Sequence, residues 1–335
     1  MQLSSLLTEA PPRATSEPPA TRLAAMLESD EAALPAPGGG DTIARWAALA
    51  RWGRTDLPLA RLAEGHTDAV AILRELGGRP HRHACYGVWA ARPGGVGAEL
   101  AGEPRRLTGT VRFCSGARDL DRALVVAAAP EGMRLVDLAL DQPGVRPVEG
   151  SWAAPGMRAS DTLDVVFDDV PVPDDALVGP PDSYLARPGF WWGGGGVAAV
   201  WLGGAAGVLD DVLPFVGADP HRLAHVGALH AELQAVDALL VRTAETIDAD
   251  PTDAHRTAVW TARAAAEHLC RSVLDRAPLA GGAAGLAGSA TLGPRLADLQ
   301  VFIRQHHGER DLAALGAAVT EVVAGVVAGV VTEAR

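Results

Sequence analysis

The chain has 335 residues, 48% of them hydrophobic, and a formal net charge of −12 at pH 7. That length buries a sizeable core in about two or three subdomains. The acidic balance argues against nucleic acid or an anionic membrane surface as partner, because both reward a basic patch. The sequence contains no lysine and no asparagine, which excludes pyridoxal-phosphate Schiff-base chemistry and a P-loop lysine. Cys85, Cys114 and Cys270 are odd in number and far apart, which suits a reducing cytoplasm. No basic stretch followed by an apolar core opens the chain, so no signal peptide is expected. The segment from Ala313 to Val331 is apolar enough to suggest a membrane span, but Glu321 interrupts it, so a buried packing helix is expected.

Residues 1 to 40 are rich in Pro, Ala, Ser and Glu, with Pro11-Pro12 and Pro18-Pro19 as interruptions. Short helical pieces are expected at Leu3 to Leu7 and Thr21 to Leu27, and Pro35 to Gly40 reads as a linker. Asp41-Thr42 reads as the cap of a helix through about Arg51, and Asp56 to Leu76 supplies further helix, ending at Gly77-Gly78. The cluster His81-Arg82-His83-Ala84-Cys85 offers three metal-ligating side chains, but its spacing matches no standard zinc pattern and no second pair follows. It reads as the polar lead-in to a strand.

A β module follows. Tyr86 to Ala91 is an apolar run ending in Arg92-Pro93-Gly94-Gly95, and strands are expected at 97–102, 106–114, 122–129, 133–140 and 161–168. Gly116 to Asp121 and Asp141 to Gly144 serve as turns. A compact antiparallel β unit between two helical segments is the resulting expectation.

Within the module, Gly109-Thr110-Val111-Arg112-Phe113-Cys114-Ser115-Gly116 resembles the Gly-x-Lys-x-Trp-Ile-Thr-Asn strand of the acyl-CoA dehydrogenase family. Gly156-Met157-Arg158-Ala159-Ser160 is similar to that family's Gly-x-Arg-x-Ser signature. Phe167-Asp168-Asp169-Val170-Pro171-Val172-Pro173 followed by Gly179 resembles the exit from its middle β domain. The three motifs occur in order, and the likeness covers roughly residues 60 to 320. It implies an α+β multidomain fold: an N-terminal helical segment (1–80), a middle antiparallel β domain (81–185) and a C-terminal four-helix bundle (186–335). It also implies a flavin, FAD or alternatively FMN.

A flat flavin ring needs an apolar or aromatic wall, strand amides near its carbonyl oxygens and a hydroxyl near its reactive nitrogen. The matching positions imply Phe113 as wall, Cys114 and Ser115 as backbone contacts, and the Ser115 hydroxyl as the reactive-nitrogen neighbour. Read without the family, Phe113 is core and Ser115 faces a turn. The first strand adds Trp89 and Ala91 to the implied cofactor set. Here the sequence departs from the family: Ala91-Arg92-Pro93 and Gly97-Ala98-Glu99 replace Thr-Glu-Pro and Gly-Ser-Asp, so side-chain hydroxyls are lost.

In the C-terminal part, Phe190-Trp191-Trp192 leads through Gly193–Gly196 into a helix over Val197 to Asp211. Gly194-x-Gly196-x-x-Ala199 formally matches a dinucleotide fingerprint but lacks the preceding strand, so it reads as close helix packing. Helices are expected at His221 to Asp248 and Asp253 to Arg276, a loop at Ala277 to Gly288, and last helices from Gly293. His221 and His225 stand one turn apart without a third ligand and read as a solvated face. Gly281 and Gly282 resemble the glycine pair that approaches the adenine half of a neighbour's FAD, a use glycine suits. Val212-Leu213-Pro214-Phe215 stands where the family has Arg-x-x-Phe-Gly, so the pyrophosphate arginine is missing.

Dehydrogenation of an acyl thioester needs a base over the substrate. The family's usual glutamate position falls at His306 or His307, and the alternative position holds Val197-Ala198, so neither carries a carboxylate. His306, His307 and Glu309 are the candidate catalytic residues, neutral imidazole being able to accept a proton. The default expectation is α,β-oxidation of an acyl thioester such as an acyl-CoA by a cytoplasmic homodimer or homotetramer passing electrons to an unknown acceptor. The alternatives are a flavin monooxygenase or C–N oxidase acting on a small molecule, and a non-catalytic partner subunit.

Overall fold

The computed structural model describes residues 17–333, and side chains through residue 321. The expected helix at Leu3 to Leu7 lies outside the described residues. Among the described residues, three helices come first: α1 (Pro19–Glu28), α2 (Thr42–Thr55) and α3 (Leu57–Glu75). Asp41 and Asp56 cap α2 and α3 by accepting the backbone N–H groups of Ala44 and Leu59, as short acidic side chains do at helix starts.

Eight strands follow: β1 (Tyr86–Trp89), β2 (Ala98–Ala101), β3 (Arg106–Cys114), β4 (Arg122–Ala129), β5 (Gly132–Ala139), β6 (Val145–Val148), β7 (Leu163–Pro171) and β8 (Leu177–Val178). The sheet runs β6-β7-β3-β2-β4-β5-β8, with β1 also paired to β4. Its pairings are antiparallel except that β1 and β2 run parallel to β4, a correction to a wholly antiparallel expectation. Because β5 occupies the other edge of β4, β1 and β2 lie in line along one edge, parted by the turn at Pro93–Gly95. Strands β6 and β8 escape sequence reading because they are short, and Pro147 in β6 is tolerated at the sheet edge.

After the short α4 (Ser183–Ala186) come α5 (Gly189–Val212), α6 (Pro220–Ala249), α7 (Arg256–Gly288), α8 (Leu292–Phe302) and α9 (Glu309–Glu333). Helix α5 starts earlier than its apolar run predicts and includes Gly193–Gly196. Glycine costs helix stability, but here it permits close approach. A Cβ on Gly203 would lie 1.9 Å from the Ala50 carbonyl oxygen, and one on Gly195 would lie 2.4 Å from the Trp46 ring. The helix is apolar and long enough to cross a membrane, yet it is mostly buried in the core.

The expected loop at Ala277 to Gly288 is corrected: α7 continues through it, with a break at Gly282 (φ 60°, ψ −168°). Burial of Ala277, Ala280 and Gly281 holds residues that read as loop by composition. The expected buried packing helix at Ala313 to Val331 falls within α9. Its described half is largely exposed, with Leu312 and Val319 facing out.

One hydrophobic core joins both helical segments, from Leu23 and Trp46 through Trp201 to Phe302 and Ile303. A second fills the sheet around Trp89, Val111, Cys114 and Phe167, and a third seals α3 to the sheet through Ile72, Tyr86 and Leu124. Helix α3 is therefore wedged between the sheet and the bundle.

Candidate active site

The end of β3 departs from regular pairing. The register with β7 shifts between Val111 and Cys114, and Phe113 adopts the left-handed conformation at φ 61°, the signature of a bulge that re-aims side chains. Phe113 is consequently 47% exposed while Cys114 is fully buried. The Phe113 ring meets Trp152 edge to face at 6.5 Å, and the Arg112 guanidinium lies 4.6 Å from the Phe113 ring centroid. Trp152 is itself fixed by donating its indole N–H to the Gly156 carbonyl at 3.1 Å.

Beside this shelf runs a row of hydroxyls. Thr162 donates to Ser115 Oγ at 3.0 Å and stands 2.8 Å from Ser160 Oγ, which donates to the Met157 carbonyl at 2.7 Å. All three hydroxyl residues are buried. With Thr162 as donor, the Ser115 proton is left for an outside acceptor. Met157 and Asp161, on either side of the 3-10 turn Arg158–Ser160, are also left-handed. Three such non-glycine residues around one hydroxyl row is the clustering of strained backbone seen at functional sites.

The remaining cofactor candidates play other parts. Trp89 is buried in the sheet core and donates its indole N–H to the Ser115 carbonyl at 3.1 Å, so it supports Ser115 from below. Ala91 is half-buried at the exit of β1. Arg92, in place of the family's glutamate, folds onto its own turn, donating to the carbonyls of Ala98 and Gly95. The Cys114 thiol is directed at the Val111 carbonyl and burial pushes its pKa up. Gly281 and Gly282 lie at the distant end of α7. A Cβ on Gly282 would lie 2.9 Å from a guanidinium nitrogen of Arg222, whose other nitrogen donates to the Phe215 carbonyl at 2.8 Å.

Across from Ser115, α3 presents Arg61, Glu64, Gly65 and Asp68 on one face, the spacing that aligns side chains along a helix. Arg61 and Gly65 line the same crevice as Ser115, Gly87 and Trp89. Arg61 donates to Glu64 Oε2 at 2.5 Å, and Glu64 is only 4% exposed. Burial pushes the Glu64 carboxyl up to about 7, opposed by the Arg61 charge and reinforced by that of Asp68. The phenol of Tyr184, in the field of the same groups, is pushed up to about 12 by burial.

The bundle closes this region with Arg263 of α7. Its guanidinium donates to the carbonyls of Gly194 (2.6 Å) and Gln305 (3.3 Å) and lies 5.0 Å from the Trp201 ring. Burial pulls its pKa down, while the negative charges of Asp311 and Glu64 pull it back up.

Of the three catalytic candidates only His306 is buried, next to the Gln305 carbonyl that Arg263 holds. Its Nδ1 accepts the Gly308 backbone N–H at 3.2 Å, and burial pulls its pKa down. The ring is therefore neutral with its proton on Nε2 and its lone pair already committed, which suits a donor better than a base. His307 is exposed and stands 3.3 Å from Asp311, and Glu309 is exposed in the first turn of α9. Neither reaches the interior. Arg61, Glu64, Arg263, Trp152 and Thr162 were not foreseen as a group. The charged stripe Arg61-x-x-Glu64-x-x-x-Asp68 on an otherwise apolar helix is the signal that points to them.

The other sequence clusters are placed elsewhere. Cys85 is buried, with its thiol pushed up to about 11 by burial, whereas His81 and His83 are exposed. No group of three metal-ligating side chains converges among the described residues. His225 stands 3.5 Å from the Arg276 guanidinium.

No protein-family model and no curated relative matches the sequence. Solved structures do. Butyryl-CoA dehydrogenase from Megasphaera elsdenii superposes with a TM-score of 0.77 at 16% identity, covering 92% of this chain and 91% of that one. TdsC from Paenibacillus sp. A11-2, solved with FMN and indole, gives 0.74 at 20% identity over 94% and 95%. Methanesulfinate monooxygenase MsuC from Pseudomonas fluorescens gives 0.73 at 19% identity over 94% and 95%. These likenesses extend over nearly the whole length of each protein, so the N-terminal helices, the bulged sheet and the bundle belong to one architecture: the chain has the acyl-CoA dehydrogenase fold.

Proposed function

We propose that the chain is a flavin-dependent oxidoreductase of the acyl-CoA dehydrogenase superfamily, acting on a small molecule, with Glu64 as its proton acceptor. The observation that carries this reading is the buried Glu64 carboxylate held by Arg61, whose side chain lines the same crevice as Ser115. The residues at the end of β3 fit a flavin ring: an exposed aromatic shelf of Phe113 and Trp152 stands beside a hydroxyl whose acceptor role Thr162 already fills. Bound there, a flavin supplies the redox chemistry that no side chain of this set provides.

The protein's own residues supply the rest. Arg61 engages Glu64 Oε2, leaving Oε1 to take a proton from the substrate. A carboxyl held near 7 exchanges protons at neutral pH, as a general base should. Arg263 is a cation in the bundle wall, within the field of Glu64, suited to hold a substrate carbonyl or carboxylate. For an acyl thioester, Glu64 takes the α-proton in place of the glutamate missing at 306–307. A second reading, oxygenation or C–N oxidation of a small molecule, is favoured by the committed lone pair of His306 and by the absence of a carboxylate at either customary position. TdsC and MsuC lend it support by their fold.

FAD is the first choice of cofactor, with Arg222 at Gly282 as the cation nearest the implied adenine site, and FMN is the alternative. Leu213, Leu223, Leu279 and Leu286 are exposed apolar residues on the turn after α5 and on α6 and α7, which favours a homodimer or homotetramer, and the three free cysteines suit the cytoplasm. The test is the visible spectrum of the purified protein with the released cofactor identified by mass. Bound flavin reduced anaerobically by an acyl-CoA supports dehydrogenation, and oxygen-dependent product formation with reduced flavin supports the second reading. A colourless protein that neither FAD nor FMN reconstitutes sinks both and leaves the partner-subunit alternative.

A further inference from the structure

The opposite face of α3 borders a cleft of about 660 Å³ between the α1–α2 connection and the segment leading into β1. Its position is independent of the flavin reading. On a protein with net charge −12, its lining carries three guanidinium groups, Arg74, Arg82 and the Asp68-paired Arg45, beside the imidazoles of His66, His81 and His83, against Asp30 as the one acidic group among the described lining residues. Arg74 and Arg82 are exposed, and their guanidinium groups have no ion pair or hydrogen-bond partner among the described residues. The rest of the wall is apolar, including Leu27, Leu34 and Val70.

Both sides of the cleft are pinned. Arg45 donates to the Pro35 carbonyl at 3.2 Å and to Asp68 at 2.9 Å, which fixes the α1–α2 connection. The His81 backbone N–H donates to the Tyr86 hydroxyl at 3.1 Å, and the Cys85 N–H to Asp121 at 2.7 Å. His66 Nδ1 accepts the Tyr86 backbone N–H at 3.2 Å, so its proton sits on Nε2. Burial and the Arg45 charge pull its pKa down to about 4 and keep the ring a neutral donor.

We propose that this cleft binds a phosphate-bearing small molecule with an apolar body. Guanidinium forks match the oxygens of a phosphate monoester and hold its two charges better than a single carboxylate's. The volume is that of an ordinary small-molecule pocket, and the apolar wall gives the rest of the ligand a surface. Because His66 joins the cleft to the first residue of β1, occupancy is placed to steady the strand that supports Ser115 through Trp89.

The test is calorimetric titration of the full-length protein, as purified, with hexyl phosphate, adenosine 5′-monophosphate and hexanoate. The proposal expects saturable binding of a phosphate ester, weakened roughly tenfold or more in Arg74→Ala/Arg82→Ala and unchanged in the neighbouring surface variant Arg79→Ala. All three arginines are exposed, so the unliganded melting temperature should hold and report folding separately. Four results each overturn it: no saturation by either phosphate at millimolar concentration, equal affinity in the double variant, hexanoate binding as tightly as hexyl phosphate, or loss of bound chromophore as the ligand binds.

Discussion

The backbone N–H of Met157 donates to Asp298 Oδ1 across 2.5 Å, tying the turn that carries Ser160 of the hydroxyl row to α8 of the bundle. Burial pushes the Asp298 carboxyl up to about 6, with the Met157 N–H pulling the other way. Its folded value therefore lies above the unfolded one, near 3.8. The sign follows: this group's contribution is fully present below the unfolded value and is lost as pH rises through about 6. Asp298→Asn keeps an acceptor for Met157 and removes the charge. Melting curves should show the variant gaining on the wild type by about 2 kcal/mol between pH 4 and pH 8, and parallel curves at both pH values would contradict this.

The same junction depends on Gly156. A Cβ there would lie 2.0 Å from the Ala297 carbonyl oxygen and 2.5 Å from its carbon, both backbone atoms that cannot swing aside. Gly156→Ala should cost about 3 kcal/mol by overpacking, read as a lower urea midpoint. Gly293→Ala, with open space at its Cβ, is the control and should change little.

The architecture was legible where sequence and environment agree. Strands β3 and β4 matched their expected ranges, and β5 came one residue early, because apolar runs bounded by Gly and Asp turns leave few alternatives. The glycine-rich signature at 156–160 was visible, but not that Gly156 and Met157 dock on Ala297 and Asp298, since the two stretches are far apart in sequence, Met157 and Asp298 by 141 positions. The extension of α7 through Pro278 and the glycines after it was illegible for a similar reason: tertiary burial overrides local propensity. In the site, Phe113 and Ser115 were named from a motif. Glu64 was not, because a charged residue inside a predicted helix ordinarily faces water, and only the tertiary packing around α3 buries it.

Phe113 offers a test in which binding and folding separate. The side chain is 47% exposed and contacts Trp152 and Arg112 only at ring distance. Phe113→Ala therefore removes the aromatic wall with little loss of core, while the left-handed backbone is retained. Flavin dissociation, followed by recovery of its fluorescence, should become roughly tenfold easier, with melting of the flavin-free protein shifted little. Phe113→Tyr should bind as the wild type does. Equal flavin retention in the alanine variant would move the ring away from this shelf.

Glu64 carries the strongest functional prediction. Glu64→Gln preserves the volume and an acceptor for Arg61 but cannot take a proton at neutral pH. Turnover should fall about a hundredfold or more, while the bound-flavin spectrum is kept. The wild-type rate should rise with pH through about 7, where the carboxyl ionises, and the variant's residual rate should lack that step. Stability moves in the other direction. Because burial raises the folded value above the ordinary 4.5, the ionised form costs folding energy above about pH 7, a cost that glutamine does not incur. A variant that is stable, coloured and slow, with a flattened pH profile, assigns the proton to Glu64. A variant with the wild-type rate and the wild-type pH profile assigns that residue to packing beneath Arg61 and returns the search for a base to the α8–α9 turn.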